Sequence, residues 1–150
     1  MPSLAKVTDT QNWATPQALF EKLMQEFRFT MDGCANATNT KHAVFSEDLL
    51  TPWGGHRVFM NPPYGRHIAP WMAKAAQSDA ELVVCLVCPR TDTLWWHRWV
   101  EPFADELRFF KGRIAFEHPA KQVSQTTAPS CLVIYRNEQR NRTWGSACAA

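Results

Sequence analysis

The stretch VFMNPPYGRH, residues 58–67, sets an amide, two prolines and an aromatic ring in direct succession behind a short apolar run. Each proline fixes φ, removes a backbone donor and pushes the residue before it into an extended conformation. The carbonyls here are therefore rigid and out of reach of any helix. Asn61 adds a side-chain acceptor and Tyr64 an aromatic face. Two acceptors beside a ring suit a planar group bearing NH₂, which donates twice while its ring stacks on Tyr64. Accepting both N–H bonds draws electron density onto the nitrogen and favours its pyramidal form, freeing a lone pair for attack on an activated methyl held in line. Two blander readings are a polyproline II turn closing a strand and a proline-rich ligand for an aromatic groove. Pro-Pro alone favours the turn; strand, then Asn-Pro-Pro-aromatic, then helix favours chemistry.

Other reactive side chains are less pointed. Of the five cysteines, Cys85 and Cys88 have zinc-knuckle spacing, but they lack a second pair and sit inside the apolar run ELVVCLVCPR, so core cysteines on a strand are expected. The odd cysteine count and the lack of an apolar export segment point to reduced thiols in a cytoplasm. No apolar run is long enough to span a bilayer. Net charge is +2 with a pI near 8.3, too mild alone to indicate nucleic acid. Arg90, Arg98, Arg108, Lys111, Arg113 and Lys121 alternate with tryptophans and phenylalanines, a weak pointer to an anionic partner.

The elements that must position this chemistry follow from periodicity. With 45% hydrophobic and 20% charged residues in 150, and no repeat or linker, one packed domain is expected. Residues 1–12 read as a polar arm and 136–150 as a loose polar tail. Thr15 can cap a helix with Pro16 in its first position, carrying Leu19, Leu23 and Phe27 at four-residue spacing. FRFTMD alternates as a strand and ends at Asp32; RVFM is a second strand, ending at Asn61. Ile68, Trp71, Met72, Ala75 and Ala76 take helical spacing, and ELVVCLV is a strand buried on both faces. TDTLWWHRWVEPF reads as a helix starting near Thr91 or Asp92, while ELRFF, RIAF and SCLVIY are strand-like, the last two expected to be neighbours. The fold class is thus α/β, a compact, mostly parallel sheet with an antiparallel C-terminal edge.

Asn-Pro-Pro-Tyr resembles the catalytic motif of S-adenosylmethionine-dependent amino-methyltransferases acting on adenine N6, a motif also used on some glutamine side chains. NWATPQALF, FTMDGCANATNTKHAVF, DLLTPW, NPPYGRHIAPWMAKA, CPRTDTLWWH and FFKGRIAF resemble, in order, segments of the small phage-type DNA adenine methyltransferases (Dam-type). The likeness runs from about Trp13 to Tyr135. It implies a Rossmann-like class I methyltransferase sheet, S-adenosyl-L-methionine as cofactor, double-stranded DNA as partner, no metal, and a monomer or weak dimer in the cytoplasm of a bacterial or phage-infected cell. It also assigns roles. Thr15 and Pro16 would contact the methionine end of the cofactor, Asp32, Cys34 and Ala35 would hold its amino-acid moiety, and Asp48 with Leu49 would bracket its adenine. Asn61, Pro62, Pro63 and Tyr64 would hold the target base, with Asn61 also bordering the cofactor.

Each role has an ordinary alternative: Thr15 as a helix cap, Asp32 as a turn aspartate, Asp48 as a surface charge. Only residues 33–60 separate Asp32 from Asn61, too few for the usual strand and helix carrying a ribose-binding acid, so Asn36 and Asn39 are candidates for ribose or for turns. A base inside a duplex cannot reach such a site and must be flipped out. Arg66, Lys74, Arg90, Lys111 and Arg113 are the candidate phosphate contacts, and Lys121, Gln122 and Gln125 in the segment EHPAKQVSQTTAPS, taken as a loop, would read the DNA sequence, the glutamines addressing base edges. His67 and His97 are not needed as bases, because the methylated amine can lose its proton to water. The rival readings are the same chemistry on RNA adenine or protein glutamine, and a non-catalytic nucleic-acid-binding module.

Overall fold

The computed structural model describes residues 13–118, the main chain of 121–125, and residues 128–137. The expected arm (1–12) and the part of the expected tail beyond Asn137 lie outside these residues. Among these described residues, seven strands and two α-helices follow in the order α1 Gln17–Phe27, β1 Met31–Asp32, β2 Arg57–Met60, α2 Ile68–Gln77, β3 Leu82–Val87, β4 Glu106–Phe109, β5 Ala115–His118, β6 Lys121–Gln125 and β7 Cys131–Arg136. A short π-helix, Trp96–Val100, stands between β3 and β4.

The main sheet has the order β1-β2-β3-β7-β4. β1, β2 and β3 pair in parallel, and β7 runs antiparallel to both β3 and β4. The chain is therefore α/β, mostly parallel with antiparallel pairing on its C-terminal side, as expected. The expected neighbours RIAF and SCLVIY, however, do not pair. β7 enters the main sheet, whereas β5 pairs with β6 in a separate two-stranded ribbon, so EHPAKQVSQTTAPS contains a strand and is not simply a loop. The reason lies in β7 itself, where every residue from Cys131 to Tyr135 is buried. Such a strand must be covered on both faces and cannot sit at an edge. The edge falls to β4, whose exposed positions alternate with half-buried ones.

β3 shows how the two faces are used. Val83, Cys85 and Val87 join one cluster with Trp71, Met72 and Ala75 of α2, Trp96, Val100, Val133 and Tyr135. Leu82, Val84 and Leu86 join the other, with Phe20, Leu23 and Phe27 of α1, Phe59 and Ile134. Cys85 is a core residue of a doubly covered strand, as expected, and Cys88 is buried just beyond its end.

The N-terminal helix corrects two expectations. Pro16, not Thr15, stands at the cap position: its carbonyl accepts the Phe20 N–H, and no side chain caps the helix. Ala14 instead exchanges two backbone hydrogen bonds with Glu117 of β5 (2.7 and 2.9 Å), which draws out the chain before α1 and leaves Thr15 buried. At the other end Phe27 still belongs to the helix and Arg28 closes it in a left-handed conformation (φ 52°), so the strand expected over FRFTMD shrinks to Met31–Asp32. The helix expected after β3 likewise starts later than Thr91 or Asp92. There the Thr93 hydroxyl accepts from the Trp96 N–H and donates to the Arg90 carbonyl.

Among the described residues no helix is long and apolar enough to cross a membrane.

Candidate active site

In open α/β sheets ligands gather beyond the carboxyl ends of the parallel strands, where backbone groups emerge without a partner strand. Here β1 ends at Asp32 and β2 delivers Asn61, with Asp32 in register with Phe59. Gly33 lets the chain leave β1 tightly: its N–H donates to the Phe59 carbonyl (2.8 Å), and a Cβ there would lie 2.6 Å from Val58 Cγ1 and 2.7 Å from the Trp53 ring. A crevice opens beside this turn, bordered by Thr15, Asp32, Cys34, Ala35 and Asn61, and further by Trp13, Ala14, Asn39, Lys41 and Phe59. Five of the residues assigned from sequence thus come together from three separate segments.

Asp32 is only 2% exposed. Its Oδ2 accepts the Lys41 N–H at 3.0 Å, while Oδ1 is buried with no hydrogen-bond partner among the described residues. Burial raises its pKa from 3.8 to about 6, against the lowering pull of the Lys41 and Cys34 backbone N–H groups and the Lys41 charge. A buried carboxylate with one oxygen unsatisfied carries a desolvation penalty that a cationic or N–H donor ligand would relieve. Cys34 is a different case: burial first, then the Asp32 and Glu47 charges, hold its thiol far above the ordinary range, so it is a neutral wall and not a nucleophile. Ala35 is buried, its N–H donating to the Ser46 carbonyl.

Asn61 is aimed by a contact that no local pattern shows. Its Nδ2 donates to the buried hydroxyl of Thr15 at 3.3 Å, across 46 residues of sequence. With the NH₂ end held, Oδ1 is left as the acceptor end of the amide. Pro62 is buried, Pro63 half-buried and Tyr64 40% exposed. The Tyr64 ring stands edge-on to Phe116 of β5 (6.4 Å, 85°), so the ribbon braces the aromatic platform. Gly65 then turns with φ +84°, a left-handed value that glycine adopts freely, and its carbonyl accepts the Ile68 N–H that starts α2.

The remaining assigned residues lie elsewhere. Asp48 Oδ1 accepts the Leu50 N–H at 2.8 Å, closing a small turn, and Leu49 borders a second, open depression with Thr51, Trp53, Lys74 and Asp79. Lys74 donates to the carbonyls of Leu49 and Thr51 and lies 4.4 Å over the Trp53 ring; burial lowers its pKa. Its ammonium is therefore already committed to the loop before α2. Asn36 and Asn39 make reciprocal turn bonds, Asn36 Oδ1 accepting from Thr38 and Asn39 and Asn39 Oδ1 accepting from Asn36, although Asn39 also reaches the crevice. Arg66, Arg90, Lys111 and Arg113 are exposed, Arg66 after the Asn-Pro-Pro-Tyr segment, Arg90 after β3, and Lys111 and Arg113 after β4. Lys121, Gln122 and Gln125 belong to β6, and their side chains lie outside the described residues.

Lys41 and Glu117 were not singled out by sequence. Lys41 Nζ donates to Gln17 Oε1 (3.3 Å) and Glu117 Oε2 (3.4 Å), and Glu117 Oε1 accepts the Gln17 N–H, tying α1, the post-β1 loop and the ribbon together. Nothing in the local sequence marks either residue. Among the described residues no group of three or more His, Cys, Asp or Glu side chains could hold a metal ion.

No curated protein matches the chain. A solved structure from Pyrococcus horikoshii, provisionally named an RNA methyltransferase, is 17% identical over 79% of this chain and 55% of its own, with a TM-score of 0.41. This chain thus spans about half the length of that protein, and a likeness this distant supports no further step. A family model, DNA N-6-adenine-methyltransferase (Dam), matches residues 3–148, nearly the whole sequence, and the chain belongs to that family.

Proposed function

We propose that the protein transfers a methyl group from S-adenosylmethionine to N6 of an adenine flipped out of double-stranded DNA. The observation that carries this reading is the pairing of Thr15 with Asn61 beside Asp32: an amide with its acceptor end fixed, next to a buried carboxylate with a spare oxygen.

The crevice residues fit the proposed cofactor on that same observation. Asp32 Oδ1 would accept from its amino group, with Cys34 and Ala35 shaping the small wall beside it and Thr15 closing the side toward α1; Pro16, which caps that helix and does not border the crevice, is the other proposed contact. Bound there, it supplies a methyl activated by a sulfonium. Asp48 and Leu49 remain the proposed adenine-end contacts.

The chain's own work is to prepare the nucleophile. Asn61 Oδ1 and the Pro62 carbonyl accept the two N–H bonds of the target amine, and the stiffness of Pro62 and Pro63 holds both acceptors in place. Tyr64 stacks on the base, and its exposed face leaves room to do so. A lone pair drawn out of the ring then attacks in line, and the surplus proton leaves to water from the amine held at Asn61. Arg66, Arg90, Lys111 and Arg113, exposed at segments that follow strands, supply phosphate contacts.

The test is incubation with methyl-labelled cofactor and DNA, RNA and protein acceptors in parallel, followed by mapping of modified adenines. Label in DNA adenine supports the proposal; label confined to RNA or to protein glutamine transfers the same chemistry to another substrate and refutes the DNA assignment.

A further inference from the structure

The crevice holds two opposite charges that the motif reading does not account for together. Among the described residues, Asp32 on one wall keeps Oδ1 without a hydrogen-bond partner, while on another the Lys41 side chain is only 10% exposed and its ammonium makes two long contacts, to Gln17 and to Glu117. The main chain of Lys41 is also the donor to Asp32 Oδ2, so the two groups are tied by one residue. A carboxylate with a spare acceptor and an ammonium with loosely held partners, on two residues that line one small cavity, complement an α-amino acid zwitterion.

We infer that Lys41 receives the carboxylate of the cofactor's amino-acid end, and that Glu117 is the counter-ion it gives up on binding. This rests on the cofactor reading above and adds a residue to it. The exchange is favoured because the Glu117 side chain is 44% exposed and its pairing with Lys41 is long, at 3.4 Å. Solvent screens that pair, whereas a carboxylate inside the crevice would meet Lys41 away from water. Glu117 also belongs to β5, next to Phe116, which braces Tyr64. Occupation of the amino-acid subsite thereby reaches the strand that supports the target-base platform.

The experiment is calorimetric binding of two nucleosides without transferable methyl chemistry. S-adenosylhomocysteine carries the whole amino-acid end; 5′-methylthioadenosine lacks it. In Lys41→Met, S-adenosylhomocysteine should weaken by roughly 10- to 100-fold, the size of one charge-assisted contact, while 5′-methylthioadenosine changes by less than about twofold. Lys41→Arg should recover most of the loss, and Glu117→Gln should tighten S-adenosylhomocysteine by a few-fold, roughly the release of a weak ion pair. Retained binding of 5′-methylthioadenosine shows that each variant is folded. Equal weakening of both nucleosides in Lys41→Met, or weaker S-adenosylhomocysteine binding in Glu117→Gln, overturns the inference. Failure of the unaltered protein to bind either nucleoside overturns the cofactor reading instead, and this inference with it.

Discussion

Two charged regions of this molecule are built on opposite rules. Beside the edge strand, Arg108 donates to Glu26 (2.8 Å) and to Glu106, Arg136 donates to Glu106 (2.8 Å), and both guanidinium groups lie over the Phe27 ring at 5.1 and 5.7 Å. Those hydrogen bonds hold the Glu26 and Glu106 carboxyls below their ordinary range and the Arg108 guanidinium above its own, with the pairs partly open to solvent. In the crevice the charges are fewer and more deeply buried, and they are not balanced: Asp32 has an oxygen to spare and is pushed toward neutrality. Charges that satisfy one another fasten structure, whereas a buried group left unsatisfied costs stability unless a ligand completes it. The contrast separates the scaffold from the site.

The sharpest way to break that contrast is to remove the aimed amide. Asn61→Ala should lower turnover at least about 100-fold, roughly 3 kcal/mol of barrier, with S-adenosylhomocysteine affinity within about twofold of the parent. Thr15→Val should give a smaller loss of turnover of the same kind. A Thr15→Val defect confined to cofactor affinity would sink the assignment of Thr15 as the group that orients Asn61.

Asp32 predicts a pH dependence whose sign differs from that of a salt-bridged aspartate. Its folded pKa, about 6, lies above the ordinary 3.8, so the folded protein binds the proton more tightly. The associated stability is fully present below pH 4 and is lost as pH rises through 6, about 3 kcal/mol in all for a shift of some two units. Urea midpoints of the ligand-free protein should therefore fall relative to those of Asp32→Asn between pH 4.5 and 7. S-adenosylhomocysteine affinity should move the other way, rising as the carboxylate ionises above pH 6. Parallel pH profiles for parent and variant would remove Asp32 from this role.

Cations differ in the same manner. Arg66→Ala should reduce the salt dependence of DNA binding by about one charge, whereas Lys74→Ala, whose ammonium serves loop carbonyls, should leave that slope alone and lower stability by about 1 kcal/mol. Equal slopes for the two variants would overturn the distinction. The smallest effect is expected at the balanced cluster: Arg108→Met should cost no more than about 1 kcal/mol after screening by solvent, with methyl transfer unchanged, measured by denaturation and turnover side by side.

What was legible followed from local pattern. β2 and the buried face of α2 lie where RVFM and the Ile68 to Ala76 spacing put them, because β-branched or aromatic runs and a 3.6-residue period report on a few neighbouring residues at a time. A further signal lies in burial pattern: CLVIY is a continuous run with no charged residue and ELRF alternates, which marks the first as a central strand and the second as an edge. Adjacency along the chain is not adjacency in the sheet, since β7 pairs with β3 and β4 and β5 pairs with β6.

By itself the sequence determined the chemistry of the Asn61 to Tyr64 segment, since proline stiffness, an amide and a ring are properties of four consecutive residues. The tertiary structure alone decided what surrounds it. Thr15 meets Asn61 across 46 residues, and Lys41 meets Glu117 across 76. Such contacts depend on which strands cover both faces of β3 and on where that leaves the β5–β6 ribbon. Burial of the whole chain selects that arrangement, and no short window of residues contains it.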